Sequence, residues 1–379
     1  MKSKNTLAKL TILIGLFTFA VTTVTAAPAG PVITIDNSNT TPSEDFAYAT
    51  YSGDLTGINL SGDNLAHANL TGAFLSYADL RDASLDKANL TNAYLGHADL
   101  TGNDLTGVNS FASASFYYAN LTSANLSGAT LTGVQLVGAN LTNANLTNAN
   151  LNLANLSKAT LTGTTLTGTT LTFLNLRDAI LSNVDLTNAD LTNDMLRGAN
   201  LTEANLTNAT LLRVELINAN LTNATLTGAN LTEAQLMGAT LISANLGNIT
   251  AGATDLTGAN FTGATLTYAD FSGGSNFNTT NLSNADLSHA ILSGAELFGA
   301  TFLGANLTGV IGLGSTSFGE TAPTYDGLTN FTGTEFDPVA AGWTLTGGAS
   351  ASVPEPSTYA AIFGTVILGF AACKRRRAG

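Results

Sequence analysis

The dominant pattern along the chain is a large apolar residue at every fifth position. Leucine recurs from Leu55 to Leu105 without a break, eleven times. After a one-residue slip near Asn109 the series resumes at Phe111 and runs through 33 positions to Phe271. A second slip near Ser275 leads to seven more, Phe277 to Leu307, making 51 units in which only Ala251 is neither Leu nor Phe. Two residues before each leucine stands a small residue, usually Ala, as at Ala68, Ala139, Ala204 and Ala305. The position between them is mostly Asn, Asp or Thr, and the two after leucine are mostly Thr or Ser and then Gly, Asn or another small polar residue. A period of five fits neither an α-helix nor a flat strand. A helix would scatter these leucines around its circumference. A chain that turns a corner every five residues keeps Leu and Ala inside and sends the other three positions out, so the pattern predicts a solenoid.

The unit Ala-(Asn/Asp)-Leu-x-x, as in Ala88-Asn89-Leu90-Thr91-Asn92, resembles the pentapeptide-repeat family over about 260 residues. The resemblance implies an all-β fold, a right-handed quadrilateral β-helix with four pentapeptides to a coil. The 51 units then make about 13 coils. At about 4.8 Å per coil the rod is about 60 Å long. Its open ends are sheet edges that need cover. Residues 27–50 are expected to be a lead-in, with a strand or short cap through Val32 to Ile35, and residues 51–310 the β-helix. The rhythm stops near Gly312, and aromatics gather at Phe318, Tyr325, Phe331, Phe336 and Trp343. Asp337-Pro338 and Gly347-Gly348 mark turns. Residues 311–353 therefore read as a C-terminal cap (313–346) and a linker (347–353).

Both ends carry addresses. Lys2, Lys4 and Lys9 precede an apolar run from Leu10 to Ala20, and Val24-Thr25-Ala26 supplies small residues for cleavage after Ala26. This is the layout of a secretory signal peptide. At the other end Val353-Pro354-Glu355-Pro356-Ser357 is followed by an uncharged apolar stretch, Tyr359 to Cys373, and by Lys374-Arg375-Arg376-Arg377. A short membrane segment, expected as a hydrophobic helix, would keep that basic end cytoplasmic. The arrangement over 354–379 resembles the PEP-CTERM sorting signal, with Pro354, Glu355, Pro356, Arg375, Arg376 and Arg377 in the motif positions. The resemblance implies transient anchoring in the inner membrane of a Gram-negative, exopolysaccharide-making bacterium, recognition by an exosortase, and release outward.

Charge narrows the function classes. The chain has 13 Lys and Arg against 26 Asp and Glu, a net charge of −13. Loss of both terminal segments would leave 25 acids and 6 bases, net −19, and no cysteine, since Cys373 is the only one. An acidic rod has no phosphate-binding footprint, so nucleic acid is not an expected partner. One cysteine and three histidines argue against a disulfide framework or a metal centre, and no cofactor motif occurs. His67, His97 and His289 all point outward without a catalytic partner, and a solvated structural role is expected for each. The carboxylates Asp79, Asp99, Asp104, Asp185, Asp190 and Asp270 sit where Asn is commoner, with no acid–base role expected. The recurring Asn-Leu-Thr matches a glycosylation sequon only because the repeat generates it.

One face breaks the pattern. Sorted four units to a coil, three faces are mainly Thr, Ser, Asn and Gly. The fourth, centred on Leu75, Leu95, Phe116 and their successors to Leu236, carries Phe74, Tyr77, Tyr94, His97, Tyr117 and Tyr118. Further along it has Val137, Met195, Arg197, Ile217 and Met237, with Gln135, Arg177, Glu215 and Gln235 between them. A contiguous aromatic and apolar stripe marks a contact surface, for sugar rings or for a second rod. The leading reading is an exported, non-enzymatic structural or interaction protein of the cell surface or exopolysaccharide matrix. Three alternatives remain open. Some pentapeptide-repeat proteins mimic DNA and bind gyrase, and residues 51–310 carry net −12, but both ends indicate export. Thr122, Thr142, Thr162 and Thr202, with Ser182 interrupting, form a ladder of the kind that orders water on ice. A β-helix polysaccharide enzyme would need converging carboxylates or bases, and none converge.

Overall fold

The structure, a computed structural model, describes residues 45–51 and 54–346 together with the backbone of Val32–Ile33. The expected signal peptide, the sorting segment with its expected hydrophobic helix, and the expected linker lie outside the described residues. Among those described, no helix is long and apolar enough to cross a membrane.

The unit Leu75-Ser76-Tyr77-Ala78-Asp79 shows how five residues make a corner. The Leu75 carbonyl accepts the Ala78 N–H at 3.1 Å, closing a four-residue turn, and Tyr77 has φ of 61°. A left-handed third residue with this bond is the signature of a type II turn, which favours Gly or Asn there. The repeat supplies them, as at Asn143, Asn148, Gly163 and Gly168. Between corners the residue before each leucine pairs with its equivalent in the next coil. On one face thirteen parallel bridges follow one another from Asp54↔Phe74 to Glu296↔Ser317. The offset is twenty residues, hence four units per coil, and becomes twenty-one at the two slips, Tyr94↔Ser115 and Asp255↔Asn276, and again at Glu296↔Ser317 where the repeat ends. The two slips are therefore single longer coils that leave the leucine columns in line. Phenylalanines fill the interior there: Phe111 and Phe116 at the first, Phe271 and Phe277 at the second, all buried.

The Leu and Ala columns form one continuous buried core. Where threonine takes the Ala slot, its hydroxyl donates to a carbonyl of the preceding coil: Thr164 to Leu141 (2.7 Å), Thr254 to Leu231 (2.8 Å) and Thr280 to Leu256 (2.7 Å). Outside, the Asn slot is equally organised. Asn140 Oδ1 accepts the Thr142 N–H (3.0 Å) and its hydroxyl (2.6 Å), an Asx-turn that recurs along the rod. The six carboxylates in this slot do the same work, each accepting the N–H two residues on, as Asp185 does from Thr187 at 3.0 Å. Asn-Leu-Thr is thus a hydrogen-bonding unit.

The ends extend the coil beyond the repeat. Val32–Ile33 pairs in parallel with Thr50–Tyr51, below buried Phe46 and Tyr51. Past residue 310 the bridges continue with wider offsets, Thr301↔Thr324 and Asn306↔Asn330, and Thr324–Tyr325 pairs with Thr344–Leu345. Trp343 stacks on Phe302 at 4.9 Å and meets Phe336 at 5.2 Å, covering the column where it ends.

Asp194 is the costly exception. It occupies an Ala slot, fully buried, and its Oδ1 accepts the Leu174 N–H at 2.7 Å. That amide elsewhere closes the turn, as Ala154 does to Leu151 at 2.8 Å. Oδ2 has no partner, and burial pushes the carboxyl up to about 8. An acid raised in the folded state keeps its proton while the unfolded chain releases it, so stability falls from near pH 4 to near pH 8. The slope is at most about 1.4 kcal/mol per pH unit. Asp194→Asn is expected to remove that slope and raise the melting temperature at pH 8 but not at pH 4, measured by calorimetry across the range.

Candidate contact surface

The face bridged through Phe74, Tyr94, Ser115, Gln135, Asn155, Asn175, Met195, Glu215 and Gln235 is the aromatic face. Two corners border it: a leading corner, from which the chain enters the face, and a trailing corner by which it leaves. Phe74 and Tyr94 stack at 5.0 Å with their planes 9° apart. On the trailing corner Tyr77, His97 and Tyr118 form a column at 4.6 and 5.4 Å, and Tyr117 meets Tyr118 edge-on at 4.8 Å. Tyr118 lies over Gly138, where a Cβ would come within 2.3 Å of the ring, so the glycine is what lets the tyrosine fold down along the rod.

These side chains replace the hydrogen-bonding unit of the other faces. Phe74, Tyr94, Met195, Glu215 and Gln235 stand where Asn or Asp makes its Asx-turn. At these coils the local bond is absent, while Asn155 and Asn175 on the same face retain it, accepting the N–H of Ser157 and Arg177 at 3.2 Å.

The structure places the residues singled out from the sequence as follows. Phe74, Tyr77, Tyr94, His97, Tyr117, Tyr118 and Arg197 are exposed, and Val137, Met195 and Met237 are half-buried. Ile217 departs from expectation: it is only 7% exposed, although Tyr117 and Arg197 at the same corner position are exposed. Two exposed apolar residues belong with the face and were not picked out, Leu153 and Phe173 on the leading corner. They fill the left-handed turn position, where a large side chain has nowhere to go but outward.

All three histidines stack on a tyrosine one coil earlier: His67 on Tyr48 at 4.4 Å, His97 on Tyr77 at 4.6 Å, His289 on Tyr268 at 5.0 Å. The signal for this pairing was in the sequence as a recurring Tyr–His separation of about one coil. The threonine ladder has an internal cause. Thr122, Thr142 and Thr202 each donate their hydroxyl to an Asn Oδ1 at 2.6 Å. A recess of about 370 Å³ opens between the coils of Ser84 and Asp104, lined by Asp82, Asp86 and Asp104, and among the described residues no group of His, Cys, Asp or Glu gathers as metal ligands.

Charge is uneven around the rod. Lys158, Arg177 and Arg197 occupy successive coils of the trailing corner, and Arg213 lies on the leading corner. Arg177 pairs with Glu215 at 3.3 Å and Arg213 with Glu233 at 2.6 Å. Lys158 and Arg197 take part in no ion pair with the described residues.

The described residues form a quadrilateral solenoid with a polar hydrogen-bonded surface and one face that carries exposed aromatic rings. The repeat matches the family of pentapeptide repeats (8 copies) in overlapping segments from 54–86 to 275–311, and the chain belongs to that family. Residues 352–377 match the PEP-CTERM protein-sorting motif. No curated protein matches the sequence. Among solved structures it is similar to HetL, a pentapeptide-repeat protein involved in heterocyst differentiation regulation in the cyanobacterium Nostoc sp. strain PCC 7120. The identity is 38% over 65% of this chain and 90% of that one, with a TM-score of 0.28. It is also similar to a pentapeptide-repeat protein of the Arabidopsis thaliana thylakoid lumen (34% identity, 33% and 72% covered, TM-score 0.22). A trypsin-treated form of QnrB1, a plasmid-mediated fluoroquinolone resistance protein, matches at 16% identity with 56% and 91% covered and a TM-score of 0.31.

A contact face should be dispensable for folding. Phe74→Ser and Tyr94→Ser are each expected to cost about 1 kcal/mol or less in denaturant unfolding. Leu95→Ala, in the adjacent core column, is expected to cost about 2–5 kcal/mol.

Proposed function

We propose that this protein is an exported structural rod of the cell surface or exopolysaccharide matrix, acting by contact and not by catalysis. The observation that carries the reading is the sorting motif at 352–377 behind a solenoid that spans most of the chain. The motif implies handling by an exosortase and anchoring in the membrane during export. A rod whose surface hydroxyls and amides are largely engaged in their own turns offers few groups for a specific pocket. What it offers is length, acidity and one stripe of rings. Many weak contacts along such a stripe add up through effective concentration. The aromatic face is therefore assigned as the contact surface, with Tyr94, Tyr117 and Tyr118 at its centre.

Intact mass and cell fractionation test this. The expected protein lacks both terminal segments, cut after Ala26 and near Pro354, and is found in surface or matrix fractions. A full-length cytoplasmic product would overturn the proposal.

A further inference from the structure

At the N-terminal end of the aromatic face every ring but Tyr117, which stands edge-on to Tyr118, is stacked on a ring of the adjacent coil. Phe74 lies parallel to Tyr94, and Tyr77, His97 and Tyr118 lie parallel to one another, with interplanar angles of 1–13°. Rings stacked from coil to coil cover each other's faces along the rod. They present edges and hydroxyls as a ridge that recurs once per coil, not the flat ring face on which a sugar stacks. A ridge of this period is matched along its whole length only by a partner with the same period. A second copy of the chain has it.

The charges choose the register. Bases occupy the corners along the middle of the face, at Lys158, Arg177, Arg197 and Arg213, with one acid, Asp178, among them, and acids follow on the face at Glu215, Asp255 and Glu296. From this distribution, and resting on the assignment of this face as the contact surface, we infer that two copies pair side by side and antiparallel. The two-fold axis passes between the coils of Met195 and Glu215. Arg197 then meets the coil of Glu215 in the second copy. Lys158, two coils further out, meets the coil of Asp255. One register thus serves both bases that have no ion pair of their own, and the symmetry makes each contact twice.

The same register brings Tyr117 and Tyr118 against the coil of Glu296 and Phe298, the latter an exposed ring on the trailing corner. Tyr94 falls opposite Ser317. The overlap is about 55 Å long at the coil spacing and roughly four residues wide, on the order of 650 Å² per copy. That approaches the roughly 800 Å² per partner of a stable interface. Net acidity opposes association elsewhere on the surface, so pairing is confined to the face where the signs alternate.

Sedimentation of the purified full chain in a nonionic detergent, which shields the apolar terminal segments, reads the result. A concentration-dependent dimer is expected. Lys158→Glu and Asp255→Lys are each expected to raise its Kd about tenfold, a difference of about 1.4 kcal/mol. The double variant K158E/D255K is expected to return to within about threefold of the parent. Within one chain these residues are five coils apart, about 24 Å, so rescue can only act between copies. Three results would each overturn the inference: a folded monomer at every concentration, a dimer insensitive to the single variants, or a double variant that is not rescued. A monomer whose aromatic rings are protected from solvent would assign the face to the chain's own terminal segments. The outcome is separable from the export proposal, because a matrix-located monomer refutes only the pairing and a cytoplasmic dimer refutes only the location.

Discussion

Between its corners the described backbone of this rod is paired with the coils above and below, at an offset the chain cannot change locally. Leu75 donates to Tyr94, Tyr77 to Gly96, and Asp79 to Ile58, each at 2.8–2.9 Å. A strand here is one or two residues long, and alone it would be unstable. Its stability comes from registry with its neighbours. An inserted residue must therefore be absorbed within one coil or every later leucine would turn outward. The two slips show how: the coil lengthens by one, the columns stay aligned, and phenylalanine takes up the added interior.

The same constraint orders the polar groups. Inward hydroxyls survive because a carbonyl of the preceding coil lies within reach, and Asp194 is expensive because only one of its oxygens finds a donor. Outward Asn and Thr are locked to each other across each leucine. Much of what looks like a free polar surface is the external half of the corner. This is why sequons, threonine ladders and a row of carboxylates carry so little functional information in this family. It is also why a face that abandons the Asn–Thr unit for stacked rings stands out.

A rod built this way acts through repetition. Features placed once per coil extend over tens of ångströms along its surface. Aromatic ridges, a basic middle and an acidic continuation on one face give the rod direction as well as length. A partner with another period would fit it at a few coils and drift out of step beyond them.

The resemblance to the pentapeptide repeat implied the four-sided coil and, with it, one divergent face; the sequence alone determined the period and the inward columns. Those follow from which residue types recur every five places, and burial enforces them without regard to neighbours. It also marked Phe74, Tyr94, Tyr117 and Tyr118 as outward. Only the tertiary structure decided that Ile217 is covered, that Leu153 and Phe173 join the face, and that each histidine lies on a tyrosine of the coil before. It alone stacked the rings from coil to coil and left Lys158 and Arg197 without carboxylate partners among the described residues. These outcomes depend on what stands about twenty residues away in the adjacent coil and on the left-handed corner that aims each side chain along the rod. A five-residue pattern contains neither of those distances.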